Sequence, residues 1–582
     1  MTAGDALVLV DHGRRWLQFS SPSDILSAAR PDEIWSLLAD VERETARRRC
    51  HAVGMVAYEA GRAFGLETHE PADGLPLAWF ALYPADRVRT VDAPRADIPW
   101  RPGPLSASWL RQSYDEAFAR VKQHILDGDC YQVNTTFSLE APFKGDPLTA
   151  FAQLVRAQRG RYAVALRLPR HSICCASPEL FFARQGAAIV ARPMKGSAPR
   201  GRFAAEDRAA AARLRTSAKD RAENVMVVDM VRNDLGRIAR TGSVRVRQLF
   251  AVERYPTIWQ MTSEVAADTD AGLADIFAAL FPSASITGAP KVRVMEVIKA
   301  IEPGPRGMYT GAIGHIAPDG RTQFSVAIRT LVVDHRHDRL SFGVGSGVVW
   351  DSDGANEYAE CLLKGRVLDA VVPPFDLLET LKWSPGGGFA LLDRHVDRLQ
   401  RSAAYFGVSS RPDRVRAALD AAVTGAELPL VARLLVREDG DARVETRPLP
   451  SDGGSARVCL AREPIDEGDV FYFHKTTRRH EYERRRCAAC DDTILWNHRG
   501  EVTEATIANL VVEIDGALVT PPVECGLLAG TFRQQLIDSG RVMEQSVPVN
   551  TLERATALWL VNSVRGWRRA EFVRHEHAPR PR

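Results

Sequence analysis

Short runs dense in apolar and β-branched residues recur along the first two thirds of the chain, at 53–58, 162–166, 188–190, 324–328 and 340–344, and each predicts a strand. Windows with helical spacing of apolar positions lie between them, at 218–235 and 354–367, and another opens near Ser113. Strands outnumber the helices available for parallel crossovers, so the pattern predicts an α+β architecture with large, mostly antiparallel sheets. Past residue 375 a second set follows, with strands at 389–392, 431–436, 458–461, 510–514 and 557–562 and helices at 395–406 and 533–538. This set predicts a second α+β unit. The seam between the two falls at 369–375, where two prolines stop a helical pattern. A weaker, proline-rich seam covers 92–104, and the residues after Arg574 read as a frayed tail. The chain therefore divides into 1–110, 111–370, a linker at 371–375, and 376–582.

Composition narrows the function classes. Over 582 residues, 76 Lys and Arg nearly balance 73 Asp and Glu, for a net charge of +3. That balance argues against a nucleic acid partner. No apolar run reaches the roughly 18 residues of a membrane span. The opening residues lack the basic and apolar stretches of a secretory signal, and the nine cysteines form no disulfide framework. A cytoplasmic enzyme with free, mostly buried thiols is expected.

Several side chains invite chemistry. Glu223 lies near the start of one predicted helix, and Glu357 and Glu360 share a face of another at i, i+3. Two such faces meeting can hold Mg²⁺, which takes one or two carboxylates plus substrate oxygens. The same spacing equally fits solvated helix faces with a Glu360–Lys364 ion pair. Lys195 stands in a turn, Pro-Met-Lys-Gly-Ser at 193–197, where packing does not call for it. It reads as a nucleophile or base, or as an exposed loop lysine. The glycine-rich stretches 286–291, which holds Thr287, and 342–347, which holds Gly345, offer backbone N–H groups to an anion.

Taken together and in order, these segments resemble the chorismate-using enzymes. These are anthranilate synthase component I, aminodeoxychorismate synthase component I, and the isochorismate and salicylate synthases. The resemblance runs from Gly-Asp-Cys-Tyr-Gln-Val-Asn at 128–134, through Ala-Ile-Arg-Thr at 327–330, to Glu-Tyr-Ala-Glu-Cys-Leu-Leu-Lys at 357–364. It implies the two-sheet fold of anthranilate synthase component I, with 1–110 as its variable N-terminal part. Members that add water carry a lysine where Gln132 stands here, so Gln132 points to an amine-adding member. Lys195, where anthranilate synthases usually have alanine, resembles aminodeoxychorismate synthase. The resemblance implies that Glu223 and Glu360, with Glu357 beside them, hold Mg²⁺ on the ring carboxylate of chorismate. It implies that Glu179 is the general acid, that Lys195 attacks C2, and that Gln132, Thr287, Tyr309, Arg329 and Gly345 bind substrate. Ammonia is then expected from a separate glutamine amidotransferase subunit, because no cysteine sits in a Gly-x-Cys-x-Gly turn. No Leu-Leu-Glu-Ser type motif occurs in 1–110, so feedback inhibition is not predicted.

The second region carries five blocks in order: 375–381, 392–399, His474-Lys475, 500–510 and 527–533. They resemble fold-type IV pyridoxal-phosphate enzymes, namely branched-chain and D-amino-acid aminotransferases and 4-amino-4-deoxychorismate lyase. The resemblance implies a D-amino-acid-aminotransferase-like domain over 376–582, with pyridoxal 5'-phosphate as cofactor and a homodimer formed through this domain. Lys475 becomes the Schiff-base lysine and Glu504 the partner of the pyridinium nitrogen. Arg398, Thr506, Thr531 and Phe532 become the phosphate site. The region alone does not separate aminotransferase from lyase. The fusion does, because the product expected of the first region is the substrate of the lyase. The implied function is 4-aminobenzoate synthesis. Anthranilate synthase activity in the first region, or an aminotransferase or non-catalytic second region, stands as the alternative. Cys487 and Cys490 lack a second pair or a histidine at ligand spacing, so they read as two packing or surface thiols rather than half of a zinc site.

Overall fold

A computed structural model describes every residue except 11, 12, 14, 73, 96–99, 370–374, 451–453 and 575–582. The linker expected at 371–375 lies almost wholly outside the described residues, as do the tail and the middle of the 92–104 seam. The chain forms two compact units. One takes 1–200 and 210–372, and the other takes 373–582 together with 201–209.

The first unit contains two ten-stranded sheets. Their pairings are antiparallel, as in β1 (Gln132–Pro142) against Arg339–Val348 and in β2 (Met194–Pro199) against β3 (Ile258–Asp268). We label Arg339–Val348 β4. Residues 1–110 do not stand apart, since Ala6–Val10 pairs with Tyr162–Arg167 and His51–Val56 pairs with Ala312–Ile316. The sheets pack on each other through Val8, Phe19, Val164 and Ile173 from one and Met55, Ala81, Tyr83 and Ile313 from the other. Helices cover the outer faces. Ile34–Arg48 and α1 (Ala218–Gly236) bring Leu38, Val41, Val227 and Val231 onto Phe182, Phe324 and Val265. Arg111–Leu126 and α2 (Gly354–Gly365) bring Tyr114, Val121 and Cys361 onto Phe137, Leu340 and Val344. Each such side chain contributes roughly 1.5–3 kcal/mol on burial. A strand covered on both faces has no polar side, which is why Ala6–Val10 and Ala78–Tyr83 are buried along their whole length and read as continuous apolar runs.

The helices that carry the acidic candidates are capped by their own sequence. Ser217 accepts the Asp220 N–H at 3.3 Å to start α1, and Asp353 accepts the Asn356 N–H at 3.0 Å to start α2.

In the second unit β5 (Leu377–Ser384) belongs to a four-stranded antiparallel sheet covered by α3 (Leu392–Phe406). A mixed eight-stranded sheet holds β6 (Ala456–Leu460), β7 (Asp492–Trp496), β8 (Val502–Ala505) and β9 (Asn509–Ile514), with β6 and β7 parallel. Two short helices complete the site region, α4 (His480–Arg485) and α5 (Thr531–Asp538). One expected strand is corrected. Only Phe389 of the 389–392 region is extended, in the two-residue strand Gly388–Phe389, and α3 starts at Leu392 rather than 395. Leu392 joins Val396, Leu399 and Ala403 on one apolar helical face, a pattern that a four-residue window cannot tell from a strand. Among the described residues no helix is long and apolar enough to cross a membrane.

Asp353→Ala removes the cap of α2. The expected cost is about 1 kcal/mol, read as a lower urea midpoint with the native far-UV circular dichroism unchanged.

Candidate active sites, one in each unit

Lys195 sits on β2 and is held by its backbone. Asn224 of α1 donates Nδ2 to the Lys195 carbonyl at 3.2 Å, and Ser263 of β3 donates to Asn224 Oδ1 at 2.5 Å. Gln260 donates to the carbonyl of Gly196 at 2.9 Å. The amine arrives over Gly347 of β4. A Cβ there would stand 2.6 Å from Lys195 Nζ and 2.9 Å from Gln132 Nε2, so glycine lets both side-chain ends lie where they do, and a larger residue would make them shift. Gln132 opens β1, and its amide oxygen and nitrogen are both buried without a hydrogen-bond partner. Such a group costs about 1–3 kcal/mol, which a polar substrate lying against it offsets.

Acids surround this amine. Glu179 is buried and accepts the Ser285 hydroxyl at 2.5 Å. Burial pushes Glu179 up to about 7, against the opposing pull of Ser285 and Lys195. Burial also pushes Lys195 below the ordinary lysine range, while Glu223, Glu179 and Glu360 act the other way. Glu223 on α1 is raised by burial. Glu360 on α2 stays low despite burial, because Lys364 pairs with it at 2.7 Å, the i, i+4 pair that its spacing allowed. Glu357 instead accepts the Ser352 hydroxyl at 2.8 Å. Among the described residues Glu223, Glu357 and Glu360 do not gather within 4.8 Å of one another. The donor set is all oxygen and open, which fits Mg²⁺ held by one or two carboxylates and completed by substrate and water.

The remaining residues expected at this site divide. Arg329 is half-buried, donates Nη1 to the Lys364 carbonyl at 2.6 Å, and lies within electrostatic reach of Tyr309 and Glu360. Lys364 donates to the Gly345 carbonyl at 2.7 Å, which ties α2 to β4. The Thr287 hydroxyl is turned to its own chain, donating to Ser283 at 3.1 Å. Tyr309 lies over Gly343 and walls a cavity of about 460 Å³ with Glu302, Arg306 and His171, which neither Lys195 nor Glu179 lines.

In the second unit Lys475 is half-buried at a cavity of about 270 Å³ lined also by Arg398, Arg479, Tyr482, Glu504 and Thr531. The Leu378 N–H of β5 donates to the Lys475 carbonyl at 3.0 Å and fixes its backbone. Burial, with Arg398 and Arg479 nearby, lowers Lys475 to about 8. Glu504 on β8 is raised to about 7 by burial. It accepts Tyr482 Oη at 2.8 Å, Asn509 Nδ2 at 3.2 Å and the Leu528 N–H at 3.2 Å. Arg398 of α3 is gripped by Glu379 through two bonds of 2.9 and 2.6 Å, and His395 bonds the same carboxylate at 2.6 Å. Arg398 and His395 together hold Glu379 down at about 2 although burial opposes them.

Thr531 starts α5 and its hydroxyl meets His395 at 3.2 Å, whereas the Phe532 side chain packs with Val511, Leu536 and Val561. The Thr506 hydroxyl donates to Asp492 at 2.5 Å. At Gly530 a Cβ would stand 1.9 Å from Asn509 Oδ1, so glycine here lets the Asn509 side chain lie against the start of α5. A cationic cavity, a helix start, a half-buried amine and a buried acid fit pyridoxal phosphate.

Several contributors escape sequence reasoning. Ser285, Asn224, Tyr482, Arg479 and Glu379 act through contacts between segments far apart in sequence. Asn509 and Glu379 lie inside the quoted blocks, and that was their only signal. Tyr482 stands amid a basic run that reads as a solvated face.

Residues 7–369 match the family model described as chorismate binding enzyme, and residues 376–571 match the one described as amino-transferase class IV. The first match spans more than half of the chain, and the chain belongs to the chorismate binding enzymes. Among curated relatives, aminodeoxychorismate synthase component 1 of Klebsiella aerogenes is 37% identical over 346 residues, which is 54% of this chain and 76% of that protein. Anthranilate synthase component 1 1 of Haloarcula marismortui is 41% identical over 260 residues, 44% of this chain and 53% of the relative. The crystal structure of anthranilate synthase component I from Streptococcus pneumoniae shares the fold, with a TM-score of 0.52 and 23% identity over 61% of this chain and 92% of that one.

Glu379→Ala leaves the Arg398 guanidinium buried without its carboxylate. A loss of about 3–5 kcal/mol is expected in denaturant unfolding, well beyond what a surface ion pair supplies.

Proposed function

We propose that this chain makes 4-aminobenzoate, and so serves folate synthesis, by converting chorismate and ammonia to 4-amino-4-deoxychorismate and then eliminating pyruvate. The observation that carries the reading is the half-buried Lys195 amine packed over Gly347 beside the unpartnered Gln132 amide, in a chain that also sets a half-buried Lys475 at a cavity of a class IV unit.

In the first step Lys195 Nζ attacks ring C2 as an uncharged amine, the form that burial favours. Glu179, raised to about 7, gives its proton to the C4 hydroxyl, which leaves as water. Ammonia then bonds to C4 while the C2–N bond to Lys195 breaks, and the ring regains its diene. Arg329 is the fork for a substrate carboxylate. Gln132 and Gly345 orient the ring, with Thr287 presenting its backbone and Tyr309 bordering the site. Mg²⁺, held by Glu223 and Glu360 with Glu357 nearby, supplies positive charge at the ring carboxylate.

In the second step pyridoxal phosphate supplies an electron-accepting ring. Lys475 holds it and moves the C4 proton to the departing enolpyruvyl side chain, which leaves as pyruvate. Glu504 keeps a charge partner at the ring nitrogen. Arg398 and the N–H groups of Thr531 and Phe532 take the phosphate, while Thr506 orders the wall through Asp492. Residues 111–370 with their N-terminal part perform the first step and 376–582 the second. The ammonia comes from a glutamine amidotransferase subunit, the second domain pairs as a homodimer, and the enzyme works in the cytoplasm.

The identity to an anthranilate synthase component 1 supports a second reading for the first unit, formation of 2-aminobenzoate. Product chromatography after incubation with chorismate, MgCl₂, ammonium and pyridoxal phosphate separates them. 4-Aminobenzoate is expected, and 2-aminobenzoate as the sole product rejects the proposal. Lys475→Ala is expected to accumulate aminodeoxychorismate, and Lys195→Ala to leave only slow direct attack by ammonia. Because Glu179 must carry its proton, first-step turnover should fall as pH rises above about 7. Glu179→Gln should lower it about 10²–10⁴-fold and remove that dependence.

A further inference from the structure

The second unit gathers three thiols that none of this chemistry uses. Cys459 is buried on β6, while Cys487 and Cys490 are half-buried in the turn between α4 and β7. Their sulfur atoms all lie within 4.8 Å of one another, the only such gathering of metal-ligating groups among the described residues.

The backbone around them is built to hold this approach. In the turn, the Cys490 N–H points to the Cys487 carbonyl at 3.4 Å, and the Cys487 N–H donates to Thr493 Oγ1 at 2.8 Å. The turn is stitched to β6 from both sides. Arg457 donates its N–H to Asp491 Oδ2 at 2.8 Å, and the Asp491 N–H returns to the Arg457 carbonyl at 2.8 Å. Parallel pairing then sets Cys459 opposite Thr493. The third sulfur thus comes from a neighbouring strand, which a search for a second Cys-x-x-Cys pair does not reveal.

We propose that Cys459, Cys487 and Cys490 bind one Zn²⁺, with water in the fourth position. Zinc–thiolate bonds of about 2.3 Å in a tetrahedron put sulfurs roughly 3.8 Å apart, within a rotamer adjustment of the spacing seen. Soft thiolates select zinc over the Mg²⁺ that suits the carboxylates of the first unit. A disulfide between any two would leave the third thiol unused, whereas one cation employs all three.

None of the three lines the Lys475 cavity, so the ion is structural. It fastens to β6 the segment running from α4 into β7. That segment carries Tyr482, which donates to Glu504, and Asp492, which accepts from Thr506. The proposal is independent of which reaction the second unit performs.

The test uses the full chain, reduced and purified without chelator, loaded with Zn²⁺ and freed of excess. Elemental analysis should find about one zinc per chain. Co²⁺ in its place should give a thiolate-to-metal absorption in the near ultraviolet with the visible bands of a tetrahedral site. Cys459→Ser and Cys490→Ser should each lower metal content and cobalt absorption about tenfold, and Cys50→Ala should change neither. Cys490 is half-buried in a turn, so its variant keeps the test open if Cys459→Ser fails to fold. Two results overturn the proposal. One is wild-type protein that retains less than about a tenth of an equivalent of zinc while Cys487 and Cys490 react freely with a thiol reagent. The other is folded Cys490→Ser with undiminished zinc.

Discussion

Lys195 and Lys475 both lose much of their water in the fold, and an ammonium in a medium of low polarity is costly unless charge of the opposite sign stands close. Burial drives both amines toward the neutral form, while Glu179, Glu223 and Glu360 around one and Glu379 and Glu504 around the other keep that drive in check. The same exclusion of water raises Glu179 and Glu504 to about 7. One physical condition therefore yields an amine able to act as nucleophile and acids able to hold a proton near neutral pH. The rest of each site keeps these groups dry and correctly spaced.

Spacing comes from backbone. In the first unit, stacking two antiparallel sheets under helices buries every face of the central strands, and β1, β2 and β4 bring Gln132, Lys195 and Gly347 to one point from places far apart in sequence. In the second unit, β5 and β8 with α3 and α5 place Lys475, Glu504, Arg398 and Thr531 around one cavity. Both sites rely on the missing Cβ of a glycine, at 347 and at 530, to admit a neighbouring side chain. The buried Glu379 with Arg398 and His395 shows a complementary device, a fully bonded ionic cluster that gives a guanidinium one orientation.

The candidate site residues were legible because their neighbours in sequence are part of the signature. Lys195 lies between Pro193 and Gly196, Glu360 shares a helix face with Glu357, and Glu504 stands in a block with Thr506 and Asn509. What was not legible depends on approach rather than order. Ser285 reaches Glu179, Tyr482 reaches Glu504, and Cys459 meets the Cys487–Cys490 turn only after strands have paired. The direction of a side chain was equally hidden. Glu357 turns to Ser352, the Thr287 hydroxyl turns to its own chain, and Tyr309 walls a cavity that Lys195 does not line.

By itself the sequence determined where strands and helices form over most of the chain, that two α+β units follow one another, and which amines and acids are candidates for the chemistry. Those properties reside in periodicity and in short motifs, which are local. Tertiary structure alone decided which carboxylate faces Lys195, which tyrosine steadies Glu504, where the 201–209 segment belongs and that three thiols share one corner. Burial and distance are set by the packing of segments tens to more than a hundred residues apart, and no short window of sequence contains that information.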